Sequence, residues 1–316
     1  MDFLSEFRYP KKWYSKLIAA VLAITFFGLL ASATISGYLL YHIVSPPQTR
    51  SDLNLQSFPG HPELVSFTVP GGATREGWFF PGLTTAPTIL LCHGYTSQRG
   101  ELLTLVSTLQ DHQYNVFLFD FAAHGSSRGY STLGYRETAE LRAAIDAIAA
   151  RSDVDTTRFG LWGTNLGAYA TLAAASSDPR VRAVVVESAY NSPLDFVRLL
   201  LDRTGLGAFP FMQRTGAWGF RTLTRDFKSV PPLSARLSTL AGVPKLFLMA
   251  SDEPILSEST RALFLDSPEP RELSLVSRGN YSSLLDEEKR FYENRIVSFF
   301  LRSLPASTSP ASPSRR

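Results

Sequence analysis

Between residues 63 and 302, short apolar runs alternate with segments in which apolar positions recur every third or fourth residue. The runs Val65–Val69, Gly77–Phe80, Thr88–Cys92, Val116–Phe121, Phe159–Trp162, Ala183–Glu187, Leu246–Ala250 and Leu273–Val276 predict eight strands. Several are apolar at consecutive positions, as strands covered on both faces are. Helical spacing predicts helices over Glu101–Leu109, Glu137–Ala150, Leu166–Ala175, Glu258–Leu265 and Leu284–Leu304. The order predicts an α/β domain: a mostly parallel eight-stranded sheet with helices on both faces, opened by an antiparallel hairpin. Residues 189–240 interrupt the alternation with the apolar stretch Phe196–Leu201, a Gly/Phe-rich bend and a second amphipathic segment. They are read as an inserted small helical lid over a pocket, with two ordinary covering helices as the alternative.

A different pattern precedes the domain. Leu17–Val44 contains no charged residue and, at about 1.5 Å per residue, is long enough to cross a ~30 Å hydrocarbon layer with some tilt. Residues 1–16 are basic, with Arg8, Lys11, Lys12 and Lys16 against Asp2 and Glu6. The positive-inside rule then predicts a cytoplasmic N-terminus, a single transmembrane anchor over 17–44 in the plasma membrane, and an extracytoplasmic body. Ala31-Ser32-Ala33 also fits a signal-peptide cleavage site. The continuing apolar run Ile35–Val44, with Tyr38 and Tyr41 suited to a membrane interface, favours a retained signal anchor. Pro46, Pro47, Pro59 and Gly60 mark 45–62 as a linker, and the Pro/Ser-rich stretch 303–316 is read as a disordered tail.

Charge narrows the partners. The net charge of +3 sits at the two ends, where Arg315 and Arg316 add to the basic N-terminus. The body is close to neutral, so nucleic acid is not an expected partner. The single cysteine, Cys92, excludes an internal disulfide and a multi-cysteine zinc site. No metal or cofactor is expected. The expected partners are the membrane and an unidentified small molecule or protein.

Four blocks carry the candidate chemistry: Leu91-Cys92-His93-Gly94-Tyr95, Asp120-Phe121-Ala122-Ala123-His124-Gly125-Ser126-Ser127, Gly160-Leu161-Trp162-Gly163-Thr164-Asn165-Leu166-Gly167, and Lys245–Ile255. In this order they resemble the α/β-hydrolase fold superfamily, in particular its membrane-anchored bacterial members akin to serine aminopeptidase-like and acyl-hydrolase proteins. The resemblance spans most of residues 63–302. The block at Leu91 is similar to the HG turn after the third strand. The block at Asp120 is similar to the D-x-x-G-H-G-x-S segment with Ala123 in place of a glycine, the one at Gly160 to the strand–elbow–helix, and the one at Lys245 to the strand that delivers the catalytic acid. The resemblance implies a tight turn with small residues at Gly163 and Gly167, and an oxyanion hole made by the backbone N–H groups of Tyr95 and Leu166.

The side chains depart from that pattern. Asn165 stands at the nucleophile position, and an amide nitrogen whose lone pair is delocalised into the carbonyl makes no useful nucleophile. Asparagine does tolerate positive φ, so it can keep the turn while discarding the chemistry. Family spacing puts the acid at Glu253, with Asp252 as the alternative, and the histidine position at Asn280. The five histidines are His42, His61, His93, His112 and His124, so residues 125–316 contain none. Losing one nucleophile or base from a serine-hydrolase triad costs about 10⁶ in turnover. A catalytically inactive ligand-binding or interaction module, a pseudoenzyme, is therefore the leading expectation. The alternative is an active hydrolase of a small ester, lipid or peptide that uses a non-standard constellation, with His93 or His124 in the rescue role.

Overall fold

The computed structural model describes residues 13–48 and 62–306. The basic residues before Trp13, most of the expected linker and most of the expected tail lie outside the described residues; the start of that tail is ordered, with Ser303 closing the last helix and Leu304 buried and accepting from the Tyr114 hydroxyl.

The chain divides into two compact units. The larger, Val44–Phe196 with Asp226 onward, contains an eight-stranded sheet. Its strands are β1 (Glu63–Thr68), β2 (Thr74–Phe80), β3 (Thr88–Cys92), β4 (Asn115–Phe119), β5 (Phe159–Thr164), β6 (Val181–Glu187), β7 (Lys245–Ala250) and β8 (Arg271–Val276), in the spatial order β1-β2-β4-β3-β5-β6-β7-β8. β1 pairs antiparallel with β2 and β2 antiparallel with β4; every other pairing is parallel. The eight predicted runs each fall on one strand, although their ends shift. β4, for example, stops at Phe119, so Asp120 and Phe121 already belong to the loop that follows it.

The consecutive apolar positions of the central strands are buried on both faces. On one face Trp78, Leu91, Leu118, Trp162, Val185 and Leu248 form a single core with Leu105 and Leu109 of α2 (Leu103–Asp111) and with Ile296 and Phe300 of α8 (Asp286–Ser303). The helix that precedes these in the chain, α1 (Trp13–Val44), falls almost wholly in the other unit. The residues one step along each strand, Leu90, Phe117, Leu161, Val184 and Phe247, point the opposite way and are equally buried. Against the sheet also pack α3 (Tyr135–Ala149), α4 (Leu166–Ala175) and α7 (Pro254–Asp266). Full burial of each large apolar side chain stabilises the fold by about 1.5–3 kcal/mol. β8 is one of the two edge strands and is only partly covered: Val276 is buried, Leu273 is half-buried and Leu275 is exposed.

The smaller unit combines residues up to Ile43, which hold all but the last residue of α1, with Val197–Arg225. It carries most of α5 (Pro193–Arg203) and all of α6 (Pro210–Leu223). The middle of the 189–240 insertion thus forms a unit with the N-terminal helix. α1 is the one helix among the described residues that is long and apolar enough to cross a membrane.

Candidate active site

The parallel register brings the C-terminal ends of β3, β5, β6 and β7 side by side: Cys92 lies opposite Gly163, Thr164 opposite Glu187, and Glu187 opposite Leu248. Past Thr164 the chain turns at once into α4, and Asn165 at the apex has φ 35° and ψ −97°. That conformation lies outside the left-handed helical region that asparagine tolerates and is disfavoured for any residue with a Cβ. Close approach fixes the turn. A Cβ on Gly167 would lie 2.1 Å from the carbonyl oxygen of Cys92, and one on Gly163 would lie 2.5 Å from the backbone of Gly167. The apex is held by its own amide, which donates to the Glu187 carbonyl at 2.9 Å, while the Asn165 carbonyl accepts from the Tyr169 N–H at 3.0 Å.

The N–H groups of Tyr95 and Leu166 converge, and Asn165 occupies the point where they meet. Its Oδ1 accepts from both amides, each at 2.6 Å. Two donors on one atom require the oxygen, not the nitrogen, of the side-chain amide at that point. The side chain is pressed against Gly94, where a Cβ would come within 2.9 Å of the Asn165 nitrogen. A carbonyl oxygen of a substrate and Asn165 Oδ1 cannot share these donors.

At the far side, β7 runs into Ser251-Asp252-Glu253 and then α7. Asp252 accepts from the Gly279 N–H at 2.8 Å and so ties this loop to the turn after β8. A Cβ on Gly279 would lie 3.0 Å from the Ser188 hydroxyl and 3.1 Å from the Glu253 side chain. The acid loop and the post-β8 turn are therefore adjacent. Asn280 itself is exposed, and its Oδ1 accepts from the N–H of Ser282 at 3.1 Å and from the Ser282 hydroxyl at 2.8 Å. Its side chain is committed to capping its own turn.

The two buried histidines differ. His93 Nε2 accepts from the Phe121 N–H at 3.0 Å, so Nδ1 carries the proton and donates to the Gly94 carbonyl at 2.8 Å. Both ring nitrogens are used in holding the loops after β3 and β4 together. His124 places Nδ1 2.9 Å from the Ala122 carbonyl, while its Nε2 has no hydrogen-bond partner among the described residues. Burial holds both imidazoles below the ordinary histidine range. The mutual repulsion of the rings, whose centroids lie 5.2 Å apart, adds to this at His93, and Asp120 partly opposes it at both. Both are neutral at physiological pH.

Of the other nearby hydroxyls, those of Thr164 and Ser188 have no hydrogen-bond partner among the described residues, and the remaining ones have structural partners. Ser97 donates to Glu101, Ser126 to the Asp120 carboxylate and Ser127 to the Asp120 carbonyl. Burial pushes the Cys92 thiol up to about 12, so no thiolate forms near neutrality. Ala123 adopts φ 66° at the position where the resemblance expects glycine, at a cost of roughly 1–2 kcal/mol. Among the described residues no cluster of three or more His, Cys, Asp or Glu side chains is arranged to hold a metal ion.

One residue of the site belongs to none of the four sequence blocks. Glu187 ends β6 fully buried beside the elbow; its Oε2 accepts from the Tyr292 hydroxyl, and Oε1 has no partner among the described residues. Burial pushes it up to about 8, with Asp252 and Glu253 adding repulsion. The sequence does carry a signal for it, since a lone acid terminates the apolar run Ala183–Val186.

A mostly parallel sheet flanked by helices, with a strand–elbow–helix turn after its fifth strand, defines the α/β-hydrolase class. The chain belongs to the alpha/beta hydrolase fold family: the family's model matches residues 87–266, more than half of the chain. The uncharacterized protein YfhR of Escherichia coli O157:H7 is 25% identical over 256 residues, which cover 78% of this chain and 83% of that protein. The polyketide transferase grgF of a Penicillium species is 30% identical over 145 residues, 45% of this chain and 46% of that protein. Among solved structures, a Pyrococcus furiosus esterase, Pf2001, superposes with a TM-score of 0.62 at 19% identity, covering 83% of this chain and 98% of that one. At that identity the likeness shows the fold.

Proposed function

We propose that this chain has lost serine-type hydrolysis and serves as a ligand-binding or partner-binding module, held by α1 at the outer face of a bacterial-type inner membrane with its N-terminus cytoplasmic. The observation that carries this reading is the position of Asn165 Oδ1 on the Tyr95 and Leu166 amides. In an acyl-transfer enzyme such a pair of donors stabilises the oxyanion of the transition state. Here a neutral carbonyl already satisfies it, at the position where the resemblance puts the nucleophile. The capping role of Asn280 supports the same reading, since no base lies on the post-β8 turn. The exposed apolar surface of α1 supports the membrane part.

Treating the full chain with a fluorophosphonate probe and a panel of p-nitrophenyl esters, beside Asn165→Ser and the double variant Asn165→Ser/Asn280→His, tests the reading. The natural chain should neither be labelled nor exceed the uncatalysed rate, and any gain should appear only once Asn165 is replaced. A second reading, an active hydrolase of a small ester, lipid or peptide, is favoured by one observation, the unpartnered Nε2 of His124. Ester turnover by the natural chain that His124→Ala abolishes would replace the first reading with the second.

A further inference from the structure

The smaller unit carries a surface that neither the elbow nor the sheet explains. From Trp13 to Ala31 no residue of α1 is buried; counted from Leu17, the first residue after Lys16, a ~30 Å hydrocarbon layer takes about twenty residues at about 1.5 Å each and ends near Ser36, one turn before Leu40. After Ala31 the helix changes character. Ser32, Ser36, Leu39, Leu40 and Ile43 are protected at helical spacing, and the stripe faces α6. Ser36 hydrogen-bonds Thr215 and touches the sulfur of Met212, and one turn on, a Cβ at Gly219 would meet Leu40 at 2.9 Å. The two helices thus run in the same sense along this contact, with α6 beside the end of α1 that follows the unburied stretch.

α6 buries Met212, Gly216, Ala217 and Phe220 and turns the opposite face outward. On that outer side Trp218 is 70% exposed and Phe211 is 38% exposed, and Phe209, just before the helix, is 60% exposed. Arg214 and Arg221 are exposed between and beyond these aromatics, and the helix contains no acidic residue. On α1, Tyr38 and Tyr41 are exposed at the same level as Leu40. Aromatic rings with arginines among them are the composition of a helix seated at the boundary of acyl chains and headgroups.

We infer that α6 is a second membrane contact: Phe209, Phe211 and Trp218 enter the outer-leaflet interface beside α1, while Arg214 and Arg221 reach the lipid phosphates. This rests on the reading of α1 as a membrane span. The packing of α6 on Ser36 and Leu40 supplies the continuity between the two surfaces. The insertion between β6 and β7 then holds the protein to the bilayer at a second point.

The test uses the full chain in phosphatidylcholine vesicles doped with a doxyl-labelled lipid quencher, with an environment-sensitive fluorophore on single introduced cysteines. Cys92 is buried and remains unlabelled. The labelled positions are Phe27→Cys on α1, Phe211→Cys and Trp218→Cys on α6, and Glu258→Cys on the exposed surface of α7. The inference expects loss of emission at 27, 211 and 218 and none at 258. Loss at 27 with positions 211 and 218 as bright as 258 overturns the α6 contact and leaves the span standing. No loss at 27 overturns the span and the inference with it.

Discussion

On the proposed reading, the two sides of the site depart from the hydrolase pattern in different ways. At the elbow the backbone is intact: the turn, the close crossing of Gly163 and Gly167, and the convergent amides of Tyr95 and Leu166 all stand, and the replaced side chain fills the point between the donors. After β8 the replaced side chain faces its own turn, so Asn280 caps Ser282 and contributes nothing toward the elbow. The difference teaches that a site's framework and its reactive groups are held by separate forces. The elbow is over-determined by steric crossing and backbone bonding, which act on any side chain at the apex. A residue on an exposed turn has no such restraint, and a local hydrogen bond decides where it points.

If the elbow is held by steric crossing, the largest effect follows from disturbing it. Gly167→Ala would put a methyl 2.1 Å from the Cys92 carbonyl oxygen and 2.7 Å from that of His93, both backbone atoms that cannot swing aside. The expected cost is about 4 kcal/mol or more, or failure to accumulate folded protein. The matched change after β8, Gly279→Ala, meets the Ala250 methyl, the Ser188 hydroxyl and the Glu253 side chain at 2.9 Å to 3.1 Å. Two of these can rotate, so it should cost roughly half as much or less. Equal denaturation midpoints for the two variants would break the comparison.

Between the two sides lies Glu187, whose buried carboxyl ties the stability of this region to pH. Burial raises its carboxyl to about 8 in the folded protein, above the ordinary glutamate value of 4.5 that it regains on unfolding. Between those values the folded state binds the extra proton, so stability is greatest at the acid end of the window and falls as pH rises. The loss from this group should approach about 1.4 kcal/mol per pH unit. Glu187→Gln keeps the acceptor for Tyr292 and removes the titration. Denaturant unfolding from pH 5 to 8 should show the natural chain losing stability relative to this variant, and parallel curves would show that Glu187 is charged when folded.

Asn165→Ala asks how much the filled donor pair is worth. The variant removes the acceptor of two short hydrogen bonds and leaves alanine at positive φ. One unmet donor costs roughly 1–3 kcal/mol where water cannot replace the acceptor. Tyr95 and Asn165 are only partly buried, so a total of about 2 kcal/mol is expected, read as a drop in unfolding free energy. Asn165→Ser should lose less, because its hydroxyl can help hold a water on the vacated donors.

Much of this was legible in the sequence because the forces involved leave periodic traces. The eight strands and the helices around them came from burial, which writes consecutive or alternating apolar positions. Leu166–Ala175 and Thr88–Cys92 match their predicted bounds residue for residue. The elbow was legible from its glycines, since close backbone crossing excludes anything larger. Where Asn165 Oδ1 points was not, because one of its two donors, the Tyr95 amide, lies seventy positions away in the chain and leaves no local pattern. Glu187 is visible in the sequence as the acid that closes the apolar run Ala183–Val186, but that pattern does not say that the acid is buried beside the elbow. The grouping of 197–225 with the N-terminal helix was likewise invisible, as amphipathic spacing says which face is buried and not against what.

The smallest effect belongs to Asn280. Its two hydrogen bonds to Ser282 lie on an exposed turn, where water competes for every donor and acceptor. Asn280→Ala should therefore cost about 0.5–1 kcal/mol, the value of an exposed side-chain cap. It should leave the elbow unchanged, which protection of the Leu166 and Tyr95 amides from hydrogen exchange reports directly. A variant that cost as much as Asn165→Ala, or that loosened those amides, would mean that the post-β8 turn braces the elbow through Gly279 and Glu253. The two sides would then be one mechanical unit, and the separation of framework from reactive groups would fail at the point where Asp252 joins them.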